Sequence, residues 1–491
     1  MGLGGYRAIV IGAGISGLAA AYMLARHNAE VFLLEKDGPP PEDPEEAFRH
    51  WTRPGATQIR HSHVFLGRLR VLLRDAYPEL LSALLQAGMK EMRPLDRPPP
   101  ALRGISPEPG DEDLVALAGR RVTFECVLRR CVAALPNVKL LSGIKVTGLL
   151  GTPTDPPHVT GVRFEGRAGE KRLRGHFVVD ASGRHSAAPR WLPGLGCRPI
   201  PEKQEDSGIV YYTRFYRLRP GAGEPQPGKD PWVADWDWIK FAVFPAEDGT
   251  FSITLAIPRS EPRLKVLAKP QAFDAMIREI PGVSDWIDPC VAMPLENAPH
   301  GVEAMGGLIN RRRRFVDAAG PIVLRLFVIG DAAYCTNPLY GRGCAQAFLH
   351  AHALVNILER TLGDWYAAAL ALDQFARENI EPFVRASVVA DRDAARRALG
   401  HEPSRMIDKF QDKFFREGVA VAMRTDPVVF RAFLRMINMF ETPEQAFLRP
   451  EVVARTLWVM AQGEAYRRRH GWRPPPEKSS VLDRLQASLG H

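Results

Sequence analysis

The chain reads as an α/β protein with two further regions, one of mixed β-sheet and one of helices. Three observations predict this. The opening residues run strand, glycine turn, helix, strand: "AIVIGAGISGLAAAYMLARH" and then "AEVFLLE". Between residues 200 and 305 the pattern turns to strands, as in "GIVYYTRFYRL". From residue 351 onward apolar residues recur with a 3.6-residue period.

The first element is the apolar strand "RAIVI", residues 7–11, of the type found in parallel sheets. Gly12-Ala13-Gly14-Ile15-Ser16-Gly17 follows it and opens a helix. Gly12 permits the tight turn, Gly14 lets a pyrophosphate approach the backbone, and Gly17 lets helix and strand pack closely. The backbone N–H groups at Ile15 and Ser16 belong to a helix N-terminus, which favours phosphate. The next strand ends at Glu35-Lys36, where an acid can accept from ribose hydroxyls. This is a Rossmann-like fingerprint in its proper setting, and it predicts a bound FAD or NAD.

A second glycine turn lies more than 300 residues on, in "FVIGDAAYCTNPLYGRGCAQAF", residues 327–348. It reads as strand, acid, turn, helix. The segment resembles the GD-type ribityl-binding motif of the p-hydroxybenzoate-hydroxylase-like FAD-dependent monooxygenases. The resemblance implies that Gly330-Asp331 holds the ribityl chain of FAD, and that Pro338, Gly341 and Gly343 form the turn beside the flavin ring. A helix starting near Gly343 would then turn its positive end toward the ring. On this reading the two turns hold opposite ends of one non-covalently bound FAD.

Three more segments carry the resemblance. "FVVDASGRHSAAPRWL", 177–192, is similar to the DG-type motif, with Asp180, Gly183 and Arg184 at its core. "RRVTFECVLRRCV", 120–132, is similar to the helix with a flavin-contacting arginine, here Arg121; a surface ion pair is the other reading. "RPGATQIRHSHVF", 53–65, resembles a loop in bacterial members similar to squalene epoxidase and the polyether epoxidases. It implies that Arg60, His61 and His63 lie near the cofactor. His61 and His63 could also suggest a metal, but no third ligand is near in sequence, so no metal is expected. Catalytic residues are not fixed by the pattern; His61, His63 and Tyr340 are the candidates.

The expected organisation is a discontinuous FAD-binding domain (1–95, 115–200 and 305–370), an interlaced β-sheet substrate domain (200–305) roofing the flavin, and a helical C-terminal region (371–491). Residues 91–113 and 218–231 should be loops, rich in Pro and Gly. "WIKFAVFPAEDGTFSITLAIP" should be a hairpin with Glu247-Asp248-Gly249 in its turn.

At 491 residues, 45% apolar and 25% charged, the composition is that of a globular protein. No apolar run is long enough to span a membrane, and no cleaved signal is visible. Six cysteines form no C-x-x-C pair. A cytoplasmic setting with reduced thiols is expected. The net charge is +9, concentrated in "RRRRF" (311–315) and "YRRRHGWR" (466–473). Both blocks are read as solvated surface. No nucleic-acid module accompanies them, and membrane contact by the C-terminal helices is not favoured.

The resemblance implies an FAD-dependent oxidoreductase, most simply a monooxygenase that hydroxylates or epoxidises a small apolar or aromatic substrate. NAD(P)H (NADPH or NADH) or a partner flavin reductase would supply electrons. Tyr211, Tyr212, Phe215, Tyr216, Trp236, Trp238, Phe241 and Phe244 are candidate pocket aromatics. Alternatives stay open: a reductase of isoprenoid double bonds similar to geranylgeranyl reductases, a halogenase, or a basic binding protein with a structural flavin. Flavin-dependent halogenases carry Trp-x-Trp-x-Ile-Pro and a lysine after the second strand. Here Trp236-Asp237-Trp238 lacks the proline, and no lysine occurs between Lys36 and Lys90.

Overall fold

The computed structural model of the chain describes residues 2–166, 169–226, 232–295 and 301–490. A five-stranded parallel sheet forms its centre, in the order Leu326–Val328, Phe177–Asp180, Arg7–Ile11, Glu30–Glu35, Val138–Ser142. The inner strands are short and apolar because both faces are covered, while the edge strand Val138–Ser142 is partly exposed. The helix Ile15–Arg26 packs on one face with ten buried residues, alanines among them, which bring it close to the sheet. The register sets Ile11 beside Asp180 and Asp180 beside Val328. The carboxyl ends of three strands, far apart in sequence, therefore finish level. Loops leaving that edge meet there, where ligands of open α/β sheets bind.

A second, antiparallel sheet runs Val233–Asp235, Lys240–Pro245, Thr250–Pro258, Ile209–Leu218, Ala292–Pro294, and Glu303–Met305 also pairs with Ile209–Leu218. The hairpin turn falls at 246–249, with Asp248 exposed. Directly paired residues share a face. Lys240, Ala256, Tyr211 and Met305 make one row, and Ala242, Thr254, Thr213 and Glu303 the next. This face looks toward the parallel-sheet unit. Tyr212, Tyr216, Trp238 and Phe241 belong to the opposite side, in a core with Phe273 and Trp286. Of the eight candidate aromatics, the register puts Tyr211, Phe215 and Phe244 on the inner face, with Tyr211 toward Asn337 and Phe215 toward Phe48.

The block 311–315 is not solvated surface. Arg311 and Arg313 are buried in the strand Ile309–Arg313. Arg311 Nη2 donates to the Arg184 carbonyl at 2.5 Å and Arg313 Nε to Glu202 Oε2 at 2.6 Å, while Arg312 pairs with Glu381. Their charges are spent on joining strands and helices rather than on water. In the block at 466–473 Arg468, Arg469 and Arg473 are exposed, while the other five residues are half-buried and Tyr466 and Trp472 pack against a helical core.

Long helices cover the remaining side: Arg342–Thr361, Trp365–Asn379 and Glu381–Ala398. The periodic stretch 373–399 breaks at Ile380, because Pro382 can enter only the first turn of a new helix. No helix among the described residues is long and apolar enough to cross a membrane. The loop at 218–231 is described only to residue 226; residues 227–231 lie outside the described residues.

Candidate functional site

The first glycine turn is fixed by space. Gly12 sits at φ +92°, and a Cβ there would lie 2.9 Å from the Ala181 carbonyl oxygen. At Gly17 a Cβ would run into the Gly12 carbonyl oxygen. Gly14 differs: nothing lies within 4 Å of its Cβ position. The N-terminus of the Ile15–Arg26 helix, which carries no side-chain cap, opens into that space.

Glu35 is buried and accepts from the Ala13 amide at 2.7 Å and the Asp37 amide at 2.9 Å. Its neighbour Lys36 is exposed. Arg53, absent from the sequence reading, is buried between acids. It donates to Asp37 Oδ2 at 3.0 Å and Glu35 Oε2 at 3.2 Å, and it pairs with Glu125. Three carboxylates hold its guanidinium charged against burial.

The two glycine turns touch. Gly330 sits at φ +58°, and a Cβ there would collide with the Ser16 side chain. Asp331 follows directly. Its carboxylate makes no hydrogen bond among the described residues. Burial pushes its pKa up, opposed by the positive charges of Arg121, Arg184 and Arg311. Gly343 keeps the opposite wall back: a Cβ there would be 3.9 Å from Asp331 Oδ1. Arg121 begins the Arg121–Ala133 helix and is itself buried, with Nη1 3.3 Å from His63 Nε2. Its Nε faces Glu125 Oε2 at 3.5 Å, a buried ion pair in which neither atom makes a hydrogen bond. The Asp331 carboxylate beside them is what a polar ligand would satisfy.

The 53–65 loop divides its residues. Arg60 caps the helix Pro44–His50, donating to the Phe48 and Trp51 carbonyls at 2.7 and 2.9 Å. It does not join the Asp331 group. His61 and His63 face inward. His61 Nδ1 is 2.9 Å from Thr213 Oγ1, and burial with Arg184 lowers its pKa to about 4. His63 is lowered to about 3 by burial and Arg121. Both imidazoles are therefore neutral at pH 7. Thr213, Thr254 and Ser62 continue the contact, with Oγ separations of 2.8 and 2.7 Å, and bind the loop to the inner face of the antiparallel sheet. Among the described residues no group of three or more His, Cys, Asp or Glu is arranged to hold a metal ion.

Asp180 is fully buried and spends its oxygens on its own turn, accepting from Ser182 Oγ and Ser186 Oγ at 2.5 Å each. It shapes the turn beneath Gly12. Gly183, at φ +75°, has open space at its Cβ position.

The turn Pro338–Tyr340 is anchored by Asn337, which the motif reading passed over. Asn337 Oδ1 accepts from the Tyr211 hydroxyl at 2.7 Å and from the Leu339 amide at 3.1 Å. Its Nδ2 donates to Asp391 Oδ1 at 2.9 Å, and Asn310 donates to the other oxygen at 2.6 Å. Gly341 closes the turn at φ +64° and the Arg342–Thr361 helix begins at once. Tyr340 has a buried hydroxyl without a hydrogen-bond partner, and the Arg342 guanidinium lies 4.8 Å from its ring centroid. An asparagine before a proline turn was the one signal for this anchor; its partners come from distant elements.

Comparison with known proteins adds to this geometry. Residues 7–98 match the profile of the DAO family, described as FAD dependent oxidoreductase. Protein Rv3254 of Mycobacterium tuberculosis is 26% identical over 369 residues, covering 72% of this chain and 73% of that protein. PqsL of Pseudomonas aeruginosa, a probable FAD-dependent monooxygenase, superposes with a TM-score of 0.57 at 16% identity, over 80% of this chain and 98% of PqsL. The myxobacterial chondrochloren halogenase CndH, an FAD-dependent halogenase, gives 0.59 at 18% identity, over 89% and 97%. These two likenesses are of fold.

Proposed function

We propose that this chain, an FAD-dependent oxidoreductase by its N-terminal domain, is a monooxygenase acting on a small apolar or aromatic substrate. One observation carries the reading: the turns at Gly12–Gly17 and Gly330–Gly343 meet at Ser16 and Gly330, with an unpaired Asp331 and an open Gly14 on the ligand side. The residues fit FAD. Ile15, Ser16 and the open helix N-terminus would take the pyrophosphate, Glu35 the adenosine ribose, Asp331 the ribityl hydroxyls, and the Pro338–Gly343 turn the ring. Lys36 and Gly183 flank these positions.

When bound, the flavin supplies oxygen activation at the expense of an external reductant. The chain's own residues orient and exclude water. Tyr211, Asn337 and Asp391 hold the turn against the inner sheet face, and the neutral His61 and His63 leave that face without titrating charge at pH 7. Arg121 and the start of the Arg342–Thr361 helix offer positive potential where a reduced ring gathers negative charge. An enclosed setting keeps turnover from ending in free peroxide. Electrons would come from NAD(P)H or a partner reductase. PqsL has been crystallised with 2-aminobenzoylacetate, a small aromatic compound, which supports a substrate of that size here. A halogenase reading has no lysine between Lys36 and Lys90 to support it.

The test is direct. Purified protein should be yellow, release free FAD on acid precipitation and, once reduced, consume oxygen. A colourless protein, or one holding NAD alone, would end the reading.

A further inference from the structure

A cleft of 270 Å³ lies between the antiparallel sheet and the helix Glu381–Ala398. That volume is near the lower end for small-molecule sites, which span roughly 300–1,000 Å³. Trp238, Ile239, Ala256, Ala394, Ala398 and Leu399 give it an apolar wall. The cleft contains Ile209, Lys240 and Ala256, which the strand register places on the inward face of the sheet.

It adjoins the site already described. Ala256 is the cross-strand partner of Tyr211, whose hydroxyl reaches Asn337. Ala256, Tyr211 and Leu339 of the turn share one apolar cluster. Asp391, the acceptor for Asn337, stands one turn before Ala394 on the same helix. The helix thus holds the ring-side turn with one residue and walls the cleft with the next. Alanines at 394, 395 and 398 keep that wall back, where larger side chains would close it.

The charges at the cleft are all matched. Lys240 pairs with Asp235 at 3.0 Å, Asp237 with Arg416 at 2.7 Å, and Arg259 with Asp206 at 2.8 Å. Arg397 bridges Asp235 and Asp237 at 3.2 Å each. A charged guest would have to break one of these pairs, whereas a neutral apolar group can lie against the carbon that makes up most of the lining.

We propose that this cleft is a specificity compartment that takes a neutral, apolar extension of the substrate. The proposal rests on the oxidoreductase reading for the identity of the ligand as substrate. It implies substrates that reach beyond one ring, with an uncharged far end. The occupant is a part of the small molecule, not a protein or a membrane.

The test uses the full chain and the neutral fluorescent probe N-phenyl-1-naphthylamine. Wild-type protein should bind it saturably. Ala398→Trp and Ala394→Phe should each weaken binding at least tenfold while leaving FAD content unchanged. Ile407→Ser, on the exposed surface beyond the cleft, should leave binding as it was. If Ala398→Trp does not fold, Ala394→Phe alone decides. No saturable binding by the wild type, unchanged binding in the two bulky variants, or loss through Ile407→Ser would overturn the compartment. Absence of FAD with an intact probe response would instead sink the oxidoreductase reading and leave the cleft standing.

Discussion

The Tyr211 hydroxyl donates to Asn337 Oδ1 at 2.7 Å, and through it a sheet residue holds a turn 126 positions further along the chain. Asp391 completes the junction by accepting from both Asn337 and Asn310. All of this is buried, so each bond lacks a water substitute.

Asp391→Ala should therefore be costly. It leaves the Nδ2 donors of Asn310 and Asn337 unpaired, at about 1–3 kcal/mol for each group. Thermal melts should show a midpoint several degrees below wild type. Tyr211→Phe removes one donor but leaves Leu339 on Asn337, and should cost about 1 kcal/mol. Equal melts for Asp391→Ala and wild type would contradict the network.

Gly14→Val should fold and yet lose FAD. The protein itself leaves open space at that Cβ, so only a ligand can clash. Far-ultraviolet circular dichroism and a count of flavin per protein separate the two effects. Gly17→Ala should do the reverse and damage folding, because its Cβ meets the Gly12 backbone. A yellow, fully loaded Gly14→Val protein would refute the placement of the pyrophosphate.

Asp331→Ala should lower FAD occupancy far more than Asp248→Ala. Losing a hydrogen bond to a charged group costs roughly 1.5–3 kcal/mol, about tenfold or more in affinity. Asp248 is an exposed turn residue. The same flavin content in both variants would count against Asp331.

Much of this was legible in the sequence, and the limits have physical causes. The fingerprint at 12–17, the strand to Glu35 and the second turn at 330–343 are local patterns that demand local backbone shapes. Asp331, Arg121 and His63 were named from motifs, and the fold brings them together. Arg60 was named with them but caps a helix, because one side chain in a loop can serve either backbone or ligand. Arg311 and Arg313 read as surface since charge is normally solvated; their partners Glu202 and the Arg184 carbonyl lie more than 100 residues away. Glu247 is the same case. It sits in a hairpin turn, yet is buried and accepts from Arg120 at 2.7 Å. Arg53 and Asn337 went unseen for that reason: long-range ion pairs and hydrogen bonds leave no periodicity.

Acid should weaken the fold through its buried histidines. His61 has a pKa near 6.5 when unfolded and about 4 when folded. Between these values the unfolded chain binds more protons, so stability rises with pH there and is flat above. One such histidine costs about 2 kcal/mol at pH 5. His63 and His350, lowered to about 3 and 4 by burial, act in the same direction. Urea midpoints at pH 7.5 and pH 5 should differ less in His61→Gln than in wild type. An unchanged difference would mean that His61 is protonated in the fold.

Oxygen transfer is read out by isotopic labelling. Reduced enzyme, a neutral apolar or aromatic substrate found by following flavin reoxidation, and ¹⁸O-labelled oxygen gas are mixed in unlabelled water, and the product is weighed by mass spectrometry. A monooxygenase places one labelled oxygen atom in each product molecule. Product formed without oxygen, or carrying oxygen from water alone, would contradict it and favour a reductase.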